Sequence, residues 1–524
     1  MNKVLIFIII LFGFSSWGNE GYFVSFKTKN TQQVFNPYSY FDEVAIENKK
    51  IMGLPLYDWY DLPVNEDYLK TVKSIADSLG FDLRWFNGVT VYCDNLKLSK
   101  IKSLPFVKQV VHLGGAEIIA SGSESELSKS LIEDFQVFDW QLSTMGGRYF
   151  QKRNLSGKGI RVGIVDVGFE GANENVQLNH LFENDLLKDA WDFAFNKPLD
   201  YEDGPNHGTV VSSFVFGKLD TFQVGHAVNS EALFAKIKAP FKSNASIEEA
   251  WLKAIEWMHQ KGARIVNSSV GYTGDTHTHD MLTGDTCKMS LAANLAARKG
   301  MLIVNSAGND GMDVWKRIAF PGDADSLLTV GAIDSEEGVR TGYSSYGPSK
   351  DLRLKPNVTA IGDVFWFNNE GLRAMEGTSF SSPLVSGFGA CVLQNTSNFK
   401  PMDLMDTIQK SSTLYPYFDY SHGYGVPRAS LYFKEDTIKG DSASVILKTS
   451  PSSLDDGYYY LKYKSHIGSQ IFYQIASEEG YIKEYYVVRF EDEDNSPKIY
   501  FKDLKKGQKI RVFHRGTFIE EEFK

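Results

Sequence analysis

Arg161-Val162-Gly163-Ile164-Val165-Asp166-Val167-Gly168 is the stretch from which the fold can be read. An apolar run that ends abruptly in an acid and a glycine is how a strand buried on both faces meets its loop. The same texture returns at Leu233 to Ile237, at Arg264-Ile265-Val266-Asn267 and at Met301-Leu302-Ile303-Val304. Between these runs stand helical patterns. Over 248–259, Trp251, Leu252, Ile255 and Met258 share one face, and a second helix ends at Gly300. Strands alternating with helices predict a doubly wound, mostly parallel sheet flanked by helices, an α/β fold, from 157 to about 435.

Upstream, residues 20–115 read as a small α+β unit of order β-α-β-α-β. It opens with Tyr22-Phe23-Val24-Ser25-Phe26, followed by a helix over 66–79 carrying Leu69, Val72, Ile75, Ala76 and Leu79 at helical spacing. A β-rich run from Trp85 to Tyr92, a short helix with Leu98, Ile101 and Leu104, and a strand from Val107 to Leu113 complete it. The insertion between 28 and 65 leaves room for a further strand. Residues 116–135 turn polar and read as an exposed linker. Residues 440–524 lose the helical pattern and become Tyr- and Phe-rich with alternation, a small all-β appendage.

The extreme N-terminus reads as an address. Met1-Asn2-Lys3 is positive, Val4 to Phe14 is almost wholly apolar, and Ser15-Ser16-Trp17-Gly18 supplies small residues for cleavage. Those parts make a secretory signal peptide. The apolar run is shorter than the roughly 20 residues a membrane-spanning helix needs. The expected mature protein is therefore exported, secreted or periplasmic, with no membrane span. Across its 524 residues the chain is 43% hydrophobic and 23% charged, with a net charge of −10. That balance lacks the basic stripe by which nucleic-acid binders replace phosphate counterions. The three cysteines, Cys93, Cys287 and Cys391, are too few for a disulfide-stapled scaffold, and Cys391 falls in an apolar helix as a core thiol.

In an open α/β sheet, functional groups gather where strands end. Asp166 follows a buried strand, where it serves either as a fixed, partly desolvated acid or as a helix cap. His207-Gly208-Thr209 opens a helix with Val210, Val211, Phe214 and Val215 on one stripe, after the turn Glu202-Asp203-Gly204-Pro205-Asn206. The ring of His207 is either turned to a cleft or a simple surface residue. Gly377-Thr378-Ser379 precedes a helix in which Ser379 is a natural N-cap and Pro383 falls near the first turn. A serine there also sees free amides and the positive end of the helix dipole. Asn309, in Asn305-Ser306-Ala307-Gly308-Asn309, either donates to an oxyanion or closes an ordinary turn.

Taken together, in the order Asp, His, Asn, Ser, these elements resemble the subtilisin-like serine proteases, the subtilases, peptidase family S8. The likeness covers about 157–430. It extends to Gly157-Lys158-Gly159-Ile160, Asn267-Ser268-Ser269-Val270-Gly271, Phe320-Pro321-Gly322, Thr329-Val330-Gly331-Ala332, Tyr343-Ser344-Ser345-Tyr346-Gly347-Pro348, Lys355-Pro356-Asn357-Val358 and Gly423-Tyr424-Gly425-Val426-Pro427. The resemblance implies a serine endopeptidase with Ser379 as nucleophile, His207 as general base, Asp166 as the group that fixes the imidazole, and Asn309 as oxyanion donor. It implies substrate contacts at Ser269, Val270, Gly271, Ala307 and Gly308. It also implies that the unit before the catalytic domain is an inhibitory propeptide, removed by self-cleavage somewhere in 115–145. The expected division is signal peptide 1–18, propeptide 19–115, maturation region 116–145, catalytic domain 146–436 and β-rich domain 437–524.

Proteins or peptides are the expected substrates, the propeptide is an expected partner, and no cofactor is expected for the chemistry. Calcium often stabilises proteases of this kind, but no loop has a spacing that places it. The segment 272–288 is longer and more polar than a minimal cleft loop, with His277, His279, Asp280, Asp285 and Cys287. Its His-Thr-His-Asp spacing invites a zinc reading. Zinc needs three or four ligands at set spacing, so the loop is read as solvated and no metal is assigned. The runner-up function is a catalytically silent copy of the fold that uses its β-rich tail for adhesion, against which the intact four residues speak. An esterase is disfavoured, since no Gly-x-Ser-x-Gly elbow surrounds Ser379.

Overall fold

The computed structural model describes residues 21–29, 34–113, 117–119, 122–126, 136–238, 244–273, 277–435, 445–449, 458–463, 470–489, 498–500 and 503–524. The signal segment lies outside these residues. Among them, no helix is long and apolar enough to cross a membrane.

The N-terminal unit is a four-stranded antiparallel sheet of strands β1 (Gly21–Phe26), β2 (Ser78–Leu83), β3 (Gly88–Tyr92) and β4 (Val107–His112), in the order β2-β3-β1-β4. Its longer helices are α1 (Glu43–Ile51), α2 (Glu66–Lys73) and α3 (Asn95–Lys102). Two expectations need correcting. The helix expected over 66–79 stops at Lys73, and Leu79 belongs to β2, because Ser78 to Leu83 pairs with the strand that follows it. The β-rich run expected from Trp85 to Tyr92 is strand only from Gly88 on: Trp85 to Asn87 lie in the turn between β2 and β3, which Asn87 closes at a φ of 49°. Within 28–65 the described residues form helices, including α1, in place of a further strand.

The central sheet has eight strands. They are β7 (Arg161–Asp166), β8 (Leu187–Asp192), β9 (Lys197–Pro198), β10 (Glu231–Lys236), β11 (Ile265–Ser268), β13 (Leu302–Ser306), β14 (Leu328–Ile333) and β15 (Val358–Ile361). Their spatial order is β15-β14-β13-β11-β7-β10-β8-β9, parallel throughout except for the β8–β9 hairpin. Every residue of β7, β11, β13, β14 and β15 is buried, as strands covered on both faces must be. On one face lie α4 (His207–Phe216) and α7 (Thr378–Asn395), with Phe214, Phe380, Leu384 and Phe388 in one core. On the other lie α5 (Asn244–Gln260) and α6 (Lys288–Arg298), with Trp251, Ile255, Met258 and Leu295 in a second core.

The N-terminal sheet sits against α5. Two carboxylates of that helix accept hydrogen bonds from the N-terminal unit: Glu256 from the amides of Arg84 at 3.1 Å and Trp85 at 2.9 Å, in the turn after β2, and Glu249 from the Phe81 amide and from the Tyr92 hydroxyl at 2.9 Å. Lys299, just beyond α6, pairs with Asp58 and Asp61 at 2.8 Å each.

The polar segment after β4 is not simply exposed linker. Strand β5 (Glu117–Ile119) pairs antiparallel with β12 (Gly271–Thr273), and β6 (Ser123–Glu126) pairs antiparallel with β17 (Gly371–Glu376), itself the partner of β16 (Asp363–Asn368). Main-chain pairing along an edge needs no apolar side chains, so a Ser/Glu-rich stretch can join a sheet without the pattern that announces a strand. The C-terminal region is all-β, with a three-stranded and a four-stranded antiparallel sheet. Phe472 and Phe513 of the latter pack on Leu414 and Tyr417.

Candidate active site

Asp166 is the last residue of β7 and is wholly buried. Its Oδ1 accepts from the Val167 amide at 2.7 Å and faces His207 Nδ1 at 2.8 Å. The reach depends on glycine. Gly208 donates its amide to the Gly168 carbonyl at 2.8 Å, and a Cβ at Gly208 would stand 2.9 Å from the Asp166 Cβ and 2.5 Å from that carbonyl oxygen. A side chain there would push α4 off the end of β7. The turn before His207 is tied down by Lys236, whose Nζ lies 3.4 Å from buried Asp192 and donates to the Asp203 carbonyl at 3.1 Å.

Helix α7 brings in the serine. Gly377, at φ 151° and ψ 150°, occupies the cap position in a conformation open essentially to glycine alone, and the helix begins at Thr378. Ser379 is thus inside the first turn, and the N-cap expected of it belongs to Gly377. Pro383 lies inside the helix, not at its start. Its ring removes the amide that would have bonded to the Ser379 carbonyl four residues back. Ser269 Oγ donates to that carbonyl instead, at 2.8 Å, and Ser379 Oγ donates to the Ser269 carbonyl at 3.3 Å. The end of β11 is further locked to α7 through Asn267: its Nδ2 donates to Ser269 Oγ at 2.9 Å, and its Oδ1 accepts from Ser382 at 2.8 Å and Ser386 at 3.0 Å.

Asn309 stands beyond β13, after Ala307 and Gly308. Its Oδ1 accepts from the Thr378 amide at 2.9 Å and the Thr378 hydroxyl at 2.8 Å, while that hydroxyl accepts from the Gly308 amide at 3.2 Å. The acceptor end of the amide is fixed on Thr378, which orients the donor end. The ring of His207 lies 5.9 Å from that of Phe380, and its Nε2 is buried without a hydrogen-bond partner among the described residues. An unpaired ring nitrogen beside a helix that carries a serine is chemically a vacant proton acceptor.

Asp166, Ser269, Val270, Gly271, Ala307, Gly308 and Asn309 lie at or just beyond the ends of β7, β11 and β13, His207 opens α4, and Ser379 lies in the first turn of α7. Asn267 and Thr378 stand inside motifs of the sequence without a role of their own there, and Ser382 and Ser386 carry no signal in the sequence. Their role is to hold other side chains, and a Ser-rich helix start carries no pattern that says so. The loop 272–288 also departs from expectation. His277 and Cys287 meet each other and Glu248 of α5, a residue more than twenty positions upstream that the spacing within the loop could not reveal.

Residues 157–425 match the subtilase family, and residues 21–126 match the peptidase S8 propeptide domain of Bacteroidota. Subtilisin DY of Bacillus licheniformis is 26% identical over 265 residues, which cover 50% of this chain and 87% of the relative. A thermostable alkaline protease of Halalkalibacterium halodurans is 24% identical over 321 residues, 60% of this chain and 75% of the relative. In fold, the chain is similar to fervidolysin from Fervidobacterium pennivorans, described as a keratinolytic enzyme related to subtilisin. The TM-score is 0.56 and the identity 14%, covering 96% of this chain and 90% of the other.

Proposed function

The chain belongs to the subtilase family, a serine protease preceded by its propeptide domain, and from that premise we propose that it is a self-processing endopeptidase whose own linker is its first substrate. The observation that carries this reading is the pairing on the two sides of Ser379. Ile119 stands opposite Gly271, just past Ser269, and Ser123 stands opposite Glu376, just before Gly377. The bond to be cut then lies between Ile119 and Ser123, and the cleft binds extended peptide by adding it as an antiparallel strand to Gly271–Thr273.

Each residue has a role in the chemistry. Ser379 Oγ turns from the Ser269 carbonyl toward His207 Nε2, which takes the hydroxyl proton as Oγ attacks the substrate carbonyl carbon. Asp166 holds the Nδ1 proton, so Nε2 is the basic nitrogen. The carbonyl electron pair moves to oxygen, where Asn309 Nδ2 and the Ser379 amide donate to the oxyanion. On collapse the C–N bond breaks and the proton on Nε2 passes to the leaving amine. Water then opens the acyl-enzyme by the same route. Apart from substrate and water, every group in this sequence is supplied by the chain, and no cofactor enters. Residues 1–18 direct export, giving a secreted or periplasmic enzyme divided as in the sequence reading, and structural calcium stays unplaced.

The test is direct. Ser379→Ala accumulates as uncut chain in a protease-free host, while the parent yields a mature protein beginning between residues 120 and 123 whose Ser379 is labelled by a fluorophosphonate. A parent-like mature N-terminus in the Ser379→Ala variant refutes self-cleavage, and a mature N-terminus elsewhere refutes the register.

A further inference from the structure

Beside the cleft strand, three side chains from separate parts of the chain converge. Glu248 lies in the first turns of α5 and is buried, Cys287 is the cap residue of α6 and is buried, and His277 is half-buried between them. One ligand atom from each lies within 4.8 Å of the others, and Cys287 Sγ stands 3.6 Å from His277 Nε2. Around a tetrahedral zinc ion, Zn–S of about 2.3 Å and Zn–N of about 2.05 Å place sulfur and nitrogen about 3.6 Å apart. The His–Cys pair already has that separation.

A second observation points into the same place. Tyr272, only 2% exposed, has a hydroxyl with no hydrogen-bond partner among the described residues. Burial, and after it the charges of Glu248 and Cys287, push its phenol well above the usual value, so it shares their surroundings. Tyr272 belongs to β12 and exchanges both backbone hydrogen bonds with Phe320, at 2.9 and 3.0 Å, and the His277 ring packs edge-on against Phe320 at 5.1 Å.

We propose that Glu248, His277 and Cys287 bind one divalent transition-metal ion of the zinc class, which pins the loop between β12 and α6 to α5 beside the substrate strand. The donor set fixes the class: a thiolate with an imidazole suits zinc, whereas calcium and magnesium take oxygen ligands throughout. Binding replaces the S–H bond of Cys287 with a metal–sulfur bond and releases one proton to solvent, leaving a thiolate and a carboxylate to balance the dication. Three protein ligands leave a fourth position on the side of the Tyr272 hydroxyl, for that phenol or a water. The site includes none of the catalytic residues and is structural, holding the strand against which substrate is laid.

The experiment uses the untagged full chain carrying Ser379→Ala, which removes self-digestion and makes the result independent of the protease reading. The protein is stripped with a chelator and titrated with zinc and with cobalt. The expected result is one metal per chain retained through gel filtration, with a thiolate-to-cobalt charge-transfer band and tetrahedral d–d bands in the cobalt form. Cys287→Ser removes the charge-transfer band, and Glu248→Gln weakens zinc binding by more than about tenfold, as loss of a ligand should when even outer-shell losses reach that size. A folded chain that binds no cobalt, or binds it without the charge-transfer band, overturns the proposal. So does a band that survives in Cys287→Ser, which would assign the metal to Cys93 or Cys391. If Cys287→Ser does not fold, blocking the thiol of the parent with and without bound zinc decides: protection of Cys287 by zinc supports the site, and equal modification overturns it.

Discussion

Ser269 and Ser379 hold each other by reciprocal hydrogen bonds, the hydroxyl of each donating to the carbonyl of the other, at 2.8 Å toward Ser379 and 3.3 Å toward Ser269. The first bond fills the place vacated by Pro383 in the helical ladder. Ser269→Ala therefore leaves the buried Ser379 carbonyl and the Asn267 amide short of a partner, at a cost of roughly 1–3 kcal/mol. The Ser269 carbonyl, a backbone group, is kept. The thermal midpoint should fall clearly, while kcat per folded, active-site-titrated molecule changes less than about tenfold, under roughly 1.4 kcal/mol.

Asn309 offers a cleaner division between binding and catalysis than alanine would reveal. Asn309→Ala removes the acceptor for Thr378 as well as the donor, so it should lower stability and turnover together. Asn309→Asp keeps an oxygen for the Thr378 amide and hydroxyl, loses the donor, and sets a negative charge where the oxyanion develops. Its thermal midpoint should stay near the parent while kcat falls on the order of 100- to 1000-fold, a loss known from subtilisin, a member of the same family, and carried over from it. A drop below tenfold with unchanged KM would remove Asn309 from the oxyanion hole.

What the sequence discloses follows from how local the signal is. β7 and β13 are legible because two-sided burial writes itself as an apolar run, and Asp166 and Asn309 are legible because they lie close after such runs. Glu248 is not, since its partners His277 and Cys287 are brought to it only by tertiary packing. β5 and β6 are hidden for another reason: they pair by main chain at an edge, β5 is only three residues long, and the Ser/Glu composition of β6 imitates linker. The sequence pattern puts Ser379 at the cap of α7, and the structure puts it inside the first turn. Ser is a common cap, but here a glycine at φ 151° takes the cap and leaves the serine hydroxyl uncommitted to the backbone of its own helix.

Gly122 is the described residue at the crossing between β5 and β6, and a Cβ there would stand 2.4 Å from the Phe380 ring. Phe380 is buried next to Ser379 and cannot give way without disturbing the core it shares with Phe214. Gly122→Val should therefore misplace the linker in the cleft. Uncut precursor should accumulate, while activity toward an added peptide, measured after removal of the propeptide by another protease, remains within about threefold of the parent, under roughly 0.7 kcal/mol. Normal processing of Gly122→Val would show that the linker does not cross Ser379 at this point.

The contact between propeptide and catalytic domain should weaken on the acid side, and His259 is the residue that makes it do so. This histidine of α5 is buried against the N-terminal unit: Lys49 Nζ lies 2.9 Å from its Nε2, Asp61 Oδ1 lies 3.9 Å from its Nδ1, and Phe41 and Trp85 pack on its ring. Burial first, then the charges of Lys49 and Lys299, hold it well below the usual 6.5. A depressed folded value means the folded chain binds the neutral ring. The stabilisation is complete above about 6.5, the unfolded value, and is lost as pH falls below it, at up to about 1.4 kcal/mol per pH unit. Two neighbours act in other windows or directions. Lys49 is itself lowered to about 8, so its contribution is complete above 10.5 and is lost as pH falls through 8, above the range in question. Glu256 is raised by burial, so its contribution is complete below the ordinary carboxylate value and is lost as pH rises through the raised one, the opposite sign to His259. His226, in the core of the catalytic domain and lowered to about 4, shares the sign of His259 but not its place. The measurement is therefore a comparison. Thermal midpoints of the Ser379→Ala precursor are taken from pH 7.5 to 5.5 with and without His259→Gln, whose side-chain oxygen can still accept from Lys49. The parent should lose stability faster than the variant as pH falls, with the gap opening below 6.5. Parallel curves would mean that the ring of His259 titrates as it does in the unfolded chain, and that the acid lability of this contact lies elsewhere.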